Sequence, residues 1–552
     1  MRERVEGLMM DFQLTVTHLL ERASRYFGKV EIASRMPDKS YRGYTYGDFH
    51  VRARSLASAL TKLGLKRGDR VATLMWNHDA HLDAYFAIPS AGFVLHTLNL
   101  RLHPSEIAYI VNHAEDRILI VDDVLLPLFD QFKEQVKLEK VIVVPLTGQP
   151  VPGGYVNYEE FIGGEAEEFT FPKLRENEAA GMSYTSGTTG RPKGVVYSHR
   201  AIVLHSLVEA AAATLDLAQT DVICPVVPMF HANAWGIPFT ATMIGAKQVF
   251  PGPHLDPVSL LELFSHERVT IGAGVPTLWI GLLNELEKNP AKWDLSSLQT
   301  LVVGGAAAPE ALIRGFDRHD ITVLHAWGMT EMTPLGTVSQ LKSYMQDLSA
   351  EEKYGYRLKQ GVPVPFVDAR VVSMDDGREV PWDGETMGEL QVRGPWIAAS
   401  YYRKPDFSDS WSKDGWLRTG DVVTADSEGY IHITDRTKDL VRSGGEWISS
   451  VALENAMMAH PAVREAAVVA IPHPKWGERP LAAVVLKRDQ SAEAEELRQF
   501  LSPDFPKWWL PDAIVFLEEI PKTSVGKFLK SQLREEYKDW KWDETEGSQN
   551  PG

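Results

Sequence analysis

Thr185-Ser186-Gly187-Thr188-Thr189-Gly190-Arg191-Pro192-Lys193-Gly194 is a loop-forming run that directly follows the strand-like residues 180–184. Glycines let backbone N–H groups turn toward oxyanions, hydroxyls donate further hydrogen bonds, and Arg191 and Lys193 offset negative charge. The run therefore predicts a polyphosphate-binding loop. It is not a Walker A loop, because Pro192 precedes the lysine and Gly194 follows it. The structural alternative is an ordinary surface turn rich in small residues.

Length and composition bound the class of protein. A chain of 552 residues exceeds what one hydrophobic core supports, so we expect two or more domains. A hydrophobic content of 44% with 24% charged residues is typical of a globular protein. The net charge of −17 argues against a nucleic-acid partner, since such surfaces are basic. Any site for an anionic ligand must therefore be locally basic.

The number of cysteines and the length of the apolar runs predict where in the cell the protein is located. Cys224 is the single cysteine, which excludes an internal disulfide and a cysteine-based zinc cluster and fits a reducing compartment. Residues 1–29 lack the continuous apolar core of a secretory signal, and no run of 18 apolar residues occurs. We expect a soluble cytoplasmic protein and leave peripheral membrane contact open.

Alternating helix and strand patterns predict an α/β fold. An amphipathic period at 46–63 indicates a helix, and short apolar runs at 71–75 and 118–121 indicate buried strands. Further apolar runs end in glycine or proline, where ligand-binding loops lie in open parallel sheets. These runs are 222–227, 270–275 and 300–305.

Changes in the pattern of apolar, polar and turn residues along the chain predict the order of domains. Residues 1–434 read as a large N-terminal domain, with two sheets and their helices and a β-rich subdomain at about 364–433. The polar residues 435–440 read as a linker, and 441–552 as a small α+β C-terminal domain. Within the latter we expect helices near 449–459 and 492–501 and strands at 465–471, 481–487 and 513–517.

Two further motifs combine residue types that suit a nucleotide. His325-Ala326-Trp327-Gly328-Met329-Thr330-Glu331 follows the strand 322–324 and is predicted to be one short loop. It offers an aromatic ring for base stacking and a carboxylate for Mg²⁺, although a buried tryptophan beside a helix cap explains it equally well. In Trp416-Leu417-Arg418-Thr419-Gly420-Asp421, the acidic residue could accept both hydroxyls of a ribose, or be a plain turn aspartate.

Cationic segments occur at the expected domain junction and near the C-terminus. Residues 435–448 carry several cations and a Gly-Gly pair, and the alternative is a solvated linker. Lys527 in Ile520-Pro521-Lys522-Thr523-Ser524-Val525-Gly526-Lys527 lies after a glycine and could supply a mobile point charge. Judged singly, it is a solvated surface lysine.

Taken in order, these segments resemble the adenylate-forming superfamily of acyl-CoA synthetases, nonribosomal adenylation domains and firefly-type luciferases. The resemblance covers nearly the whole chain. It rests on TSGTTGRPKG, PMFH at 228–231, GMTE at 328–331, GELQVRG at 388–394, TGD at 419–421, the linker 436–445 and PKTSVGK at 521–527. Within the superfamily, HANAW at 231–235, HAWGMTE and SGGEWIS at 443–449 are most similar to bacterial medium- and long-chain fatty acyl-CoA synthetases. Ligases for short thioether acids belong to the same group.

The resemblance implies a two-step reaction and a set of ATP and Mg²⁺ positions. An acyl carboxylate would attack the α-phosphate of ATP, giving acyl-AMP and pyrophosphate, and CoA would then displace AMP. Lys527, His231 and Glu331 would be catalytic, with Thr185 and Glu331 as the Mg²⁺ positions. The implied ATP and AMP positions are Thr185, Ser186, Gly187, Thr188, Thr189, Gly190, Lys193, His325, Ala326, Trp327, Gly328, Thr330, Asp421, Arg436, Lys438 and Arg442.

The resemblance also implies acyl and CoA positions and a moving domain. The C-terminal domain would rotate about a hinge at Lys438 between the two steps. Trp235 would gate a fatty-acid tunnel, and Ala232 departs from the valine common among relatives. The acyl positions are His231, Ala232, Trp235, Gly304, Gly305 and Ala306, and the CoA positions are Gly444, Gly445, Glu446 and Trp447.

Several alternatives to a fatty acid–CoA ligase stay open. One is a CoA ligase for a short or thioether acid of the methylmercaptopropionate type. Others are a luciferase-like enzyme or an enzyme that adenylates for a carrier protein, although we expect no carrier domain after Lys527. A non-catalytic acyl or nucleotide sensor is the alternative from another class; intact Thr185, Glu331, Asp421 and Lys527 count against it. A homodimer is expected only from the resemblance.

Overall fold

Two compact units make up the chain in this computed structural model, which describes residues 7–163, 169–185, 191–404, 410–444, 446–522 and 528–542. Within those ranges, the first unit comprises residues up to 185, 191–368 and 392–417. The second comprises 369–391 and the chain from 418 onward. Helices and sheets occur in both, so the predicted α/β fold with a large N-terminal part and a small α+β C-terminal part is confirmed.

The first unit alternates strands with helices along the chain. Its strands are β1 (Glu31–Arg35), β2 (Tyr41–Thr45), β3 (Arg70–Leu74), β4 (Val94–Thr97), β5 (Asp116–Asp122), β6 (Lys140–Val144), β7 (Val156–Asn157), β8 (Ala179–Tyr184), β9 (Gly194–Ser198), β10 (Val222–Pro225), β11 (Lys247–Phe250), β12 (Ile271–Gly274), β13 (Thr300–Val303), β14 (Thr322–Gly328), β15 (Leu335–Val338) and β16 (Val362–Pro363). Its helices are α1 (Val16–Phe27), α2 (Tyr46–Lys62), α3 (Asp79–Ser90), α4 (Pro104–Ala114), α5 (Leu126–Phe129), α6 (Tyr158–Ile162), α7 (His199–Glu209), α8 (Ile237–Ile244), α9 (Pro257–Glu267), α10 (Pro276–Lys288), α11 (Glu310–Asp317) and α12 (Ala350–Arg357).

Two sheets organise these strands. The seven-stranded sheet has the order β7-β6-β5-β3-β4-β8-β9 and is parallel except for the β8–β9 pair. The nine-stranded sheet has the order β16-β15-β14-β13-β12-β10-β11-β1-β2, with antiparallel pairs only toward its two ends. A helix lies between most consecutive parallel strands along the chain, since parallel neighbours need a crossover connection.

Local sequence explains why these elements form. Val71–Leu74 of β3 are all buried, which is the continuous apolar pattern of a strand covered on both faces. Helix α2 begins after Thr45, whose side chain forms a reciprocal capping box with Asp48. The helix predicted at 46–63 and the strands predicted at 71–75, 118–121, 222–227, 270–275 and 300–305 are therefore confirmed, with ends shifted by a few residues.

The second unit contains two smaller sheets. Its strands are β17 (Asp368–Val372), β18 (Gly388–Arg393), β19 (Leu417–Ala425), β20 (Ile431–Arg436), β21 (Val441–Ser443), β22 (Glu446–Ile448), β23 (Val463–His473), β24 (Gly477–Leu486) and β25 (Ala513–Phe516). Its helices are α13 (Ser450–Met458), α14 (Ala494–Leu501) and α15 (Lys530–Tyr537). The first four strands form one sheet in chain order, and β22-β21-β24-β23 with β25 beside β24 form the other.

The second sheet of this unit is buried on both faces. Val468 and Val484 pack in one core cluster with Leu453 of α13 and Leu497 of α14. Val469 lies in the opposite cluster, which includes Leu533 of α15, because neighbouring strand residues point to opposite faces. The predicted elements of this region are confirmed, whereas α15 was not predicted.

Two segments differ from the sequence-based expectation. The strand expected at 322–324 continues to Gly328, so His325 to Gly328 lie on β14 rather than on a loop. Pairing with β13 on one side and β15 on the other holds this extension in place. Asp435 and Arg436 of the expected linker end strand β20.

None of the helices in the described parts of the chain has both the length and the apolar composition needed to cross a bilayer.

Candidate active site

The glycine-rich loop joins two adjacent antiparallel strands, β8 and β9. Thr185 and Lys193 face each other at its base: the Thr185 N–H donates to the Lys193 carbonyl at 3.0 Å, and the Lys193 N–H donates to Thr185 Oγ1 at 3.2 Å. The predicted phosphate-binding residues Ser186, Gly187, Thr188, Thr189 and Gly190 lie outside the described residues. The structure thus brings together the two ends of the loop.

Glu331 lies next to this loop through an intervening tyrosine. The Tyr401 hydroxyl donates to Glu331 Oε1 at 2.6 Å, and Lys193 Nζ lies 4.7 Å from the centre of the Tyr401 ring. Burial, reinforced by the charge of Glu331, raises the pKa of Tyr401 well above its usual range. Lys193, Tyr401 and Glu331 therefore form one contiguous group.

Two hydrogen bonds hold the backbone that carries Glu331. It belongs to a short 3₁₀ helix at Thr330–Met332 and is buried, with 6% of its surface exposed. The Tyr197 hydroxyl donates to the Thr330 carbonyl at 2.8 Å, and the Ala398 N–H donates to the Glu331 carbonyl at 2.8 Å. A buried carboxylate held in this way is preorganised for a cation.

The donor types at the two predicted metal positions suit Mg²⁺. Thr185 and Glu331 offer a hydroxyl and a carboxylate, which are hard oxygen ligands. Within the described ranges, no three His, Cys, Asp or Glu side chains cluster closely enough to hold a metal ion. That observation does not conflict with the prediction, because Mg²⁺ at nucleotide sites takes most of its ligands from phosphates and water.

Trp327 lies on β14 and packs against a glycine of β15. A Cβ atom on Gly336 would lie 2.6 Å from the Trp327 ring, so the glycine allows the indole to approach the neighbouring strand. Gly328 is equally constrained, since a Cβ there would lie 2.0 Å from the Pro334 carbonyl oxygen. His325 Nδ1 donates to the Leu358 carbonyl at 3.2 Å, and Ala326 pairs with Val338. The four predicted nucleotide residues 325–328 thus sit on a rigid strand.

The predicted acyl residues include a run of unusual backbone. Five consecutive residues have positive φ: Ala232 (43°), Asn233 (55°), Ala234 (49°), Trp235 (60°) and Gly236 (86°). For residues other than glycine this conformation costs about 1–2 kcal/mol each. Such strain persists only where packing imposes it, and it is concentrated at functional sites.

The structure brings Trp235 against the end of β13. A Cβ atom on Gly304 would lie 3.1 Å from the Trp235 ring, and a larger residue there would displace the indole. Gly305 (φ 79°) and Ala306 follow and are exposed. The indole of Trp235 and Gly304 are therefore neighbours.

His231 shares a small cavity with the residue that precedes the glycine-rich loop. The cavity is lined by Tyr184 and Phe230, with Thr97, Asn99, Leu102 and Ile110 completing its wall. The Tyr184 hydroxyl also contacts His113 Nδ1 at 2.6 Å. His231 and the residue just before the predicted phosphate-binding loop thus meet at this cavity.

A buried glutamate lies behind the strained run. A Cβ atom on Gly236 would lie 2.6 Å from His205, whose Nε2 accepts a hydrogen bond from the Leu335 N–H at 3.2 Å. Glu209 accepts a hydrogen bond from the Thr240 hydroxyl and lies 4.0 Å from His205 Nδ1. Burial raises the pKa of Glu209 to about 8 and lowers that of His205 to about 3, so both are neutral near pH 7.

This neutral glutamate predicts a pH-dependent stability difference. The folded protein holds the Glu209 proton up to about pH 8, whereas an unfolded glutamate releases it near 4.5. Folding therefore takes up a proton between these limits, and the free energy of unfolding falls by up to about 1.4 kcal/mol per pH unit as the pH rises. Glu209→Gln should remove this fall. Urea unfolding of both proteins at pH 6.5, 7.25 and 8 measures the difference, and parallel pH profiles would contradict it.

The second unit positions the predicted ribose residue on a strand. Asp421 lies within β19, is fully buried, and pairs with Arg436 at 2.5 Å between Oδ1 and Nε. The Thr437 N–H donates to the Gly420 carbonyl at 2.9 Å, so the chain just before Lys438 is held against β19. Asp421 therefore lies on a strand and not in a turn.

The predicted CoA segment contains an aromatic neighbour that sequence reasoning missed. The Gly444 N–H donates to the Trp476 carbonyl at 2.9 Å, and the exposed Trp476 ring would lie 3.2 Å from a Cβ on Gly444. Arg442 lies 4.9 Å from the centre of the Trp447 ring and pairs with Asp375 at 3.1 Å. Glu446 is exposed on β22, while Gly445 and the predicted catalytic Lys527 lie outside the described residues.

Comparison with known proteins decides the family. Residues 19–402 match the model of the AMP-binding enzyme family, and residues 452–527 match its C-terminal domain. The chain belongs to the AMP-binding enzyme family. This AMP-binding enzyme is therefore adenylate-forming, as the order of its motifs predicts.

Relatives of this AMP-binding enzyme are CoA ligases. It is 52% identical to a long-chain-fatty-acid–CoA ligase of Thermus thermophilus, over 96% of this chain and 97% of the relative. It is 44% identical to a 3-methylmercaptopropionyl-CoA ligase of Ruegeria lacuscaerulensis, over 97% and 99%. Among solved structures, an anthranilate CoA ligase in complex with anthranoyl-AMP superposes with a TM-score of 0.83 at 25% identity, covering 96% of this chain and 98% of that one. The chain is thus an acid–thiol ligase of this family.

Proposed function

We propose that this enzyme is a medium- or long-chain fatty acid–CoA ligase. The observation that carries the substrate class is the packing of Trp235 against Gly304, in the strained segment that begins beside His231. An indole at this place offers an apolar wall for an alkyl chain, and each buried CH₂ gains about 0.8 kcal/mol. The similarity to a long-chain ligase supports the same class. A cytoplasmic location, peripheral membrane contact and a homodimer stay predictions.

In the first step, we infer that a carboxylate oxygen of the acid attacks the α-phosphorus of ATP and pyrophosphate leaves. Mg²⁺, when bound, neutralises phosphate charge. Thr185 and Glu331 would hold it, and the Lys193 ammonium beside Tyr401 would contact the leaving phosphates. Trp327 would stack on the adenine, and Asp421 with Arg436 would bind the ribose. Lys527 would bridge the acyl carboxylate and the α-phosphate.

In the second step, the CoA thiol attacks the acyl carbon and AMP leaves with the bonding electron pair. Gly444 has φ 62° and no side chain, so the exposed ring of Trp476 packs close to its backbone, and a narrow ligand such as a pantetheine arm would pass beside this pair. We infer that Trp447 and Trp476 flank that arm. The exposed indole of Trp476 suits an apolar contact with the ligand.

The main alternative is a ligase for a short thioether acid, because a relative with that name is similar over nearly the whole chain. Pyrophosphate release and CoA-ester formation, measured over straight-chain acids of about two to eighteen carbons and one short thioether acid, separate the two. We expect kcat/KM to rise through the medium-chain acids and to be lower for the thioether acid. A maximum at the thioether acid would favour the alternative. No release with any acid would favour a sensor.

Lys438→Pro should slow thioester formation more than adenylation. Lys438 is half-buried, and burial lowers the pKa of its ammonium. Proline fixes φ, so a hinge at this residue could no longer rotate. We expect the CoA step to slow about tenfold or more, while acid-dependent pyrophosphate release changes little. Single-turnover measurements of both steps test this expectation.

Lys438→Ala is the matched control, because it removes the same side chain and leaves φ free. It should slow neither step as much as proline does. Equal losses in both steps for Lys438→Pro would contradict a hinge at this residue.

A further inference from the structure

The segment that leads from β10 to His231 is held by an asparagine of the other sheet. Asn77 follows β3 and is 2% exposed. Its Nδ2 donates to the carbonyls of Pro225 and Val227, both at 2.9 Å, and its Oδ1 accepts from the Met229 N–H at 2.7 Å. The Val227 carbonyl and the Met229 N–H lie beyond Pro225, the last residue of β10. One buried amide therefore replaces a neighbouring strand along this segment.

Two more side chains extend the contact toward His231. The hydroxyl of Tyr85, on α3, donates to the Met229 carbonyl. The hydroxyl of Thr97, at the end of β4, donates to the Phe230 carbonyl at 3.3 Å. Tyr85 is fully buried, and Thr97 lines the cavity that His231 shares. The three donors thus follow the chain up to the residue before His231.

The chemistry of the amide explains why asparagine is needed at position 77. Its planar side chain carries two N–H donors and one carbonyl acceptor, which matches two carbonyls and one N–H on the segment. Leucine would remove the hydrogen bonds to the buried Val227 carbonyl and Met229 N–H, and aspartate would turn a carboxylate oxygen toward the carbonyls of Pro225 and Val227. If residue 77 only held the two sheets together, an apolar side chain would suffice, as apolar side chains do in the neighbouring cores.

We propose that Asn77 is a positioning residue for the acyl half of the site, with Tyr85 and Thr97 as its partners. It fixes the backbone of Pro225 to Phe230 and so sets where His231 presents itself to the acid. This inference rests on the proposed function, because it assigns the residues a role in orienting the carboxylate that is adenylated. Small displacements of such groups have large kinetic effects.

Tyr85→Phe and a matched control test the proposal. Tyr85→Phe deletes one buried hydroxyl on the Met229 carbonyl. Tyr46→Phe deletes one on the Ala246 carbonyl, donated at 2.7 Å in the same unit but away from the segment, and it also removes the acceptor of Gln248 Nε2 at 2.9 Å. The loss of thermal stability should be at least as large for Tyr46→Phe as for Tyr85→Phe. We expect kcat/KM for the fatty acid to fall about tenfold for Tyr85→Phe only, with KM for ATP within about twofold of wild type.

Asn77→Asp and Thr97→Val grade the effect. Asn77→Asp should lower kcat/KM for the acid about a hundredfold and Thr97→Val less than Tyr85→Phe, again with KM for ATP nearly unchanged. If Asn77→Asp does not fold, Tyr85→Phe and Thr97→Val still test whether these residues position the acyl half of the site. Equal kinetic losses for Tyr46→Phe and Tyr85→Phe, or parallel changes in both KM values, would overturn the role of these residues. A wild-type protein that releases no pyrophosphate with any acid would instead overturn the proposed function.

Discussion

Glu331→Gln is expected to lower acid-dependent pyrophosphate release about a thousandfold. Glutamine has the same size, and its carbonyl can still accept the hydrogen bond that the Tyr401 hydroxyl donates at 2.6 Å. What it lacks is the charge that would hold Mg²⁺ against the phosphates of ATP, and charge stabilisation of this kind is worth several kcal/mol. The packing around residue 331 should survive, so the change isolates the electrostatic role. The rate of pyrophosphate release at saturating ATP and acid, compared between the variant and wild type, measures this role.

Two controls sharpen this result. Tyr401→Phe removes only the hydroxyl that orients the carboxylate and should cost about tenfold. Glu352→Gln removes a charge from the exposed capping box of α12 and should leave the rate unchanged. A magnesium titration adds an independent measurement, since Glu331→Gln should need a higher Mg²⁺ concentration for half-maximal rate. Wild-type rates for Glu331→Gln at low Mg²⁺ would exclude Glu331 as a metal position.

The sequence could predict those parts of the site that lie within one motif. Thr185 and Lys193 belong to one run, and the structure places them face to face. Tyr401 could not be predicted, because it lies 70 residues from the Glu331 that it contacts, in a segment with no motif of its own. Asn77 is a similar case: a single asparagine after a strand acquires its meaning only from backbone groups about 150 residues away.

The fold shows the same division between local and long-range information. Apolar runs such as 71–75 predict a strand because burial on both faces leaves a local pattern. Helix α15 was missed because only Lys530 and Leu533 of its residues are buried, which leaves almost no apolar period. The extension of β14 through Trp327 depends on pairing with β15, a partner that local sequence does not reveal.

Lys530 is the centre of a buried ionic cluster in the second unit. Its Nζ contacts Glu454 Oε1 at 2.6 Å and donates to Ser450 Oγ at 2.7 Å. Glu454 also accepts from the Val468 N–H at 2.6 Å, and burial raises the pKa of its carboxyl. Asp435, at the end of β20, accepts from the Ser450 hydroxyl at 2.7 Å. The cluster thus joins α15, α13 and the segment just before Lys438.

Lys530→Met should destabilise the second unit by up to about 3–5 kcal/mol at pH 8 and above, because burial raises the pKa of Glu454 to about 7 even beside Lys530 and the variant leaves its carboxylate without that counter-charge. Methionine fills a similar volume, so the loss reports the charge rather than a cavity. The double variant Lys530→Met, Glu454→Gln should recover much of that stability, since glutamine needs no counter-charge. Hydrogen exchange of the β23 and β24 amides in the full chain reports on this unit alone.

Lys522→Met provides the contrasting measurement. Lys522 pairs with Glu465 at 2.9 Å in the same unit, but both side chains are partly exposed, at 30% and 22%. A pair screened by water contributes only about 0.2–1 kcal/mol, so its loss should barely change the exchange of the same amides. If Lys530→Met and Lys522→Met cost the same, Glu454 would have to be protonated in the wild-type protein. In that case Glu454→Gln alone would be neutral, whereas a charged Glu454 makes that single change strongly destabilising because Lys530 is then left buried and unpaired.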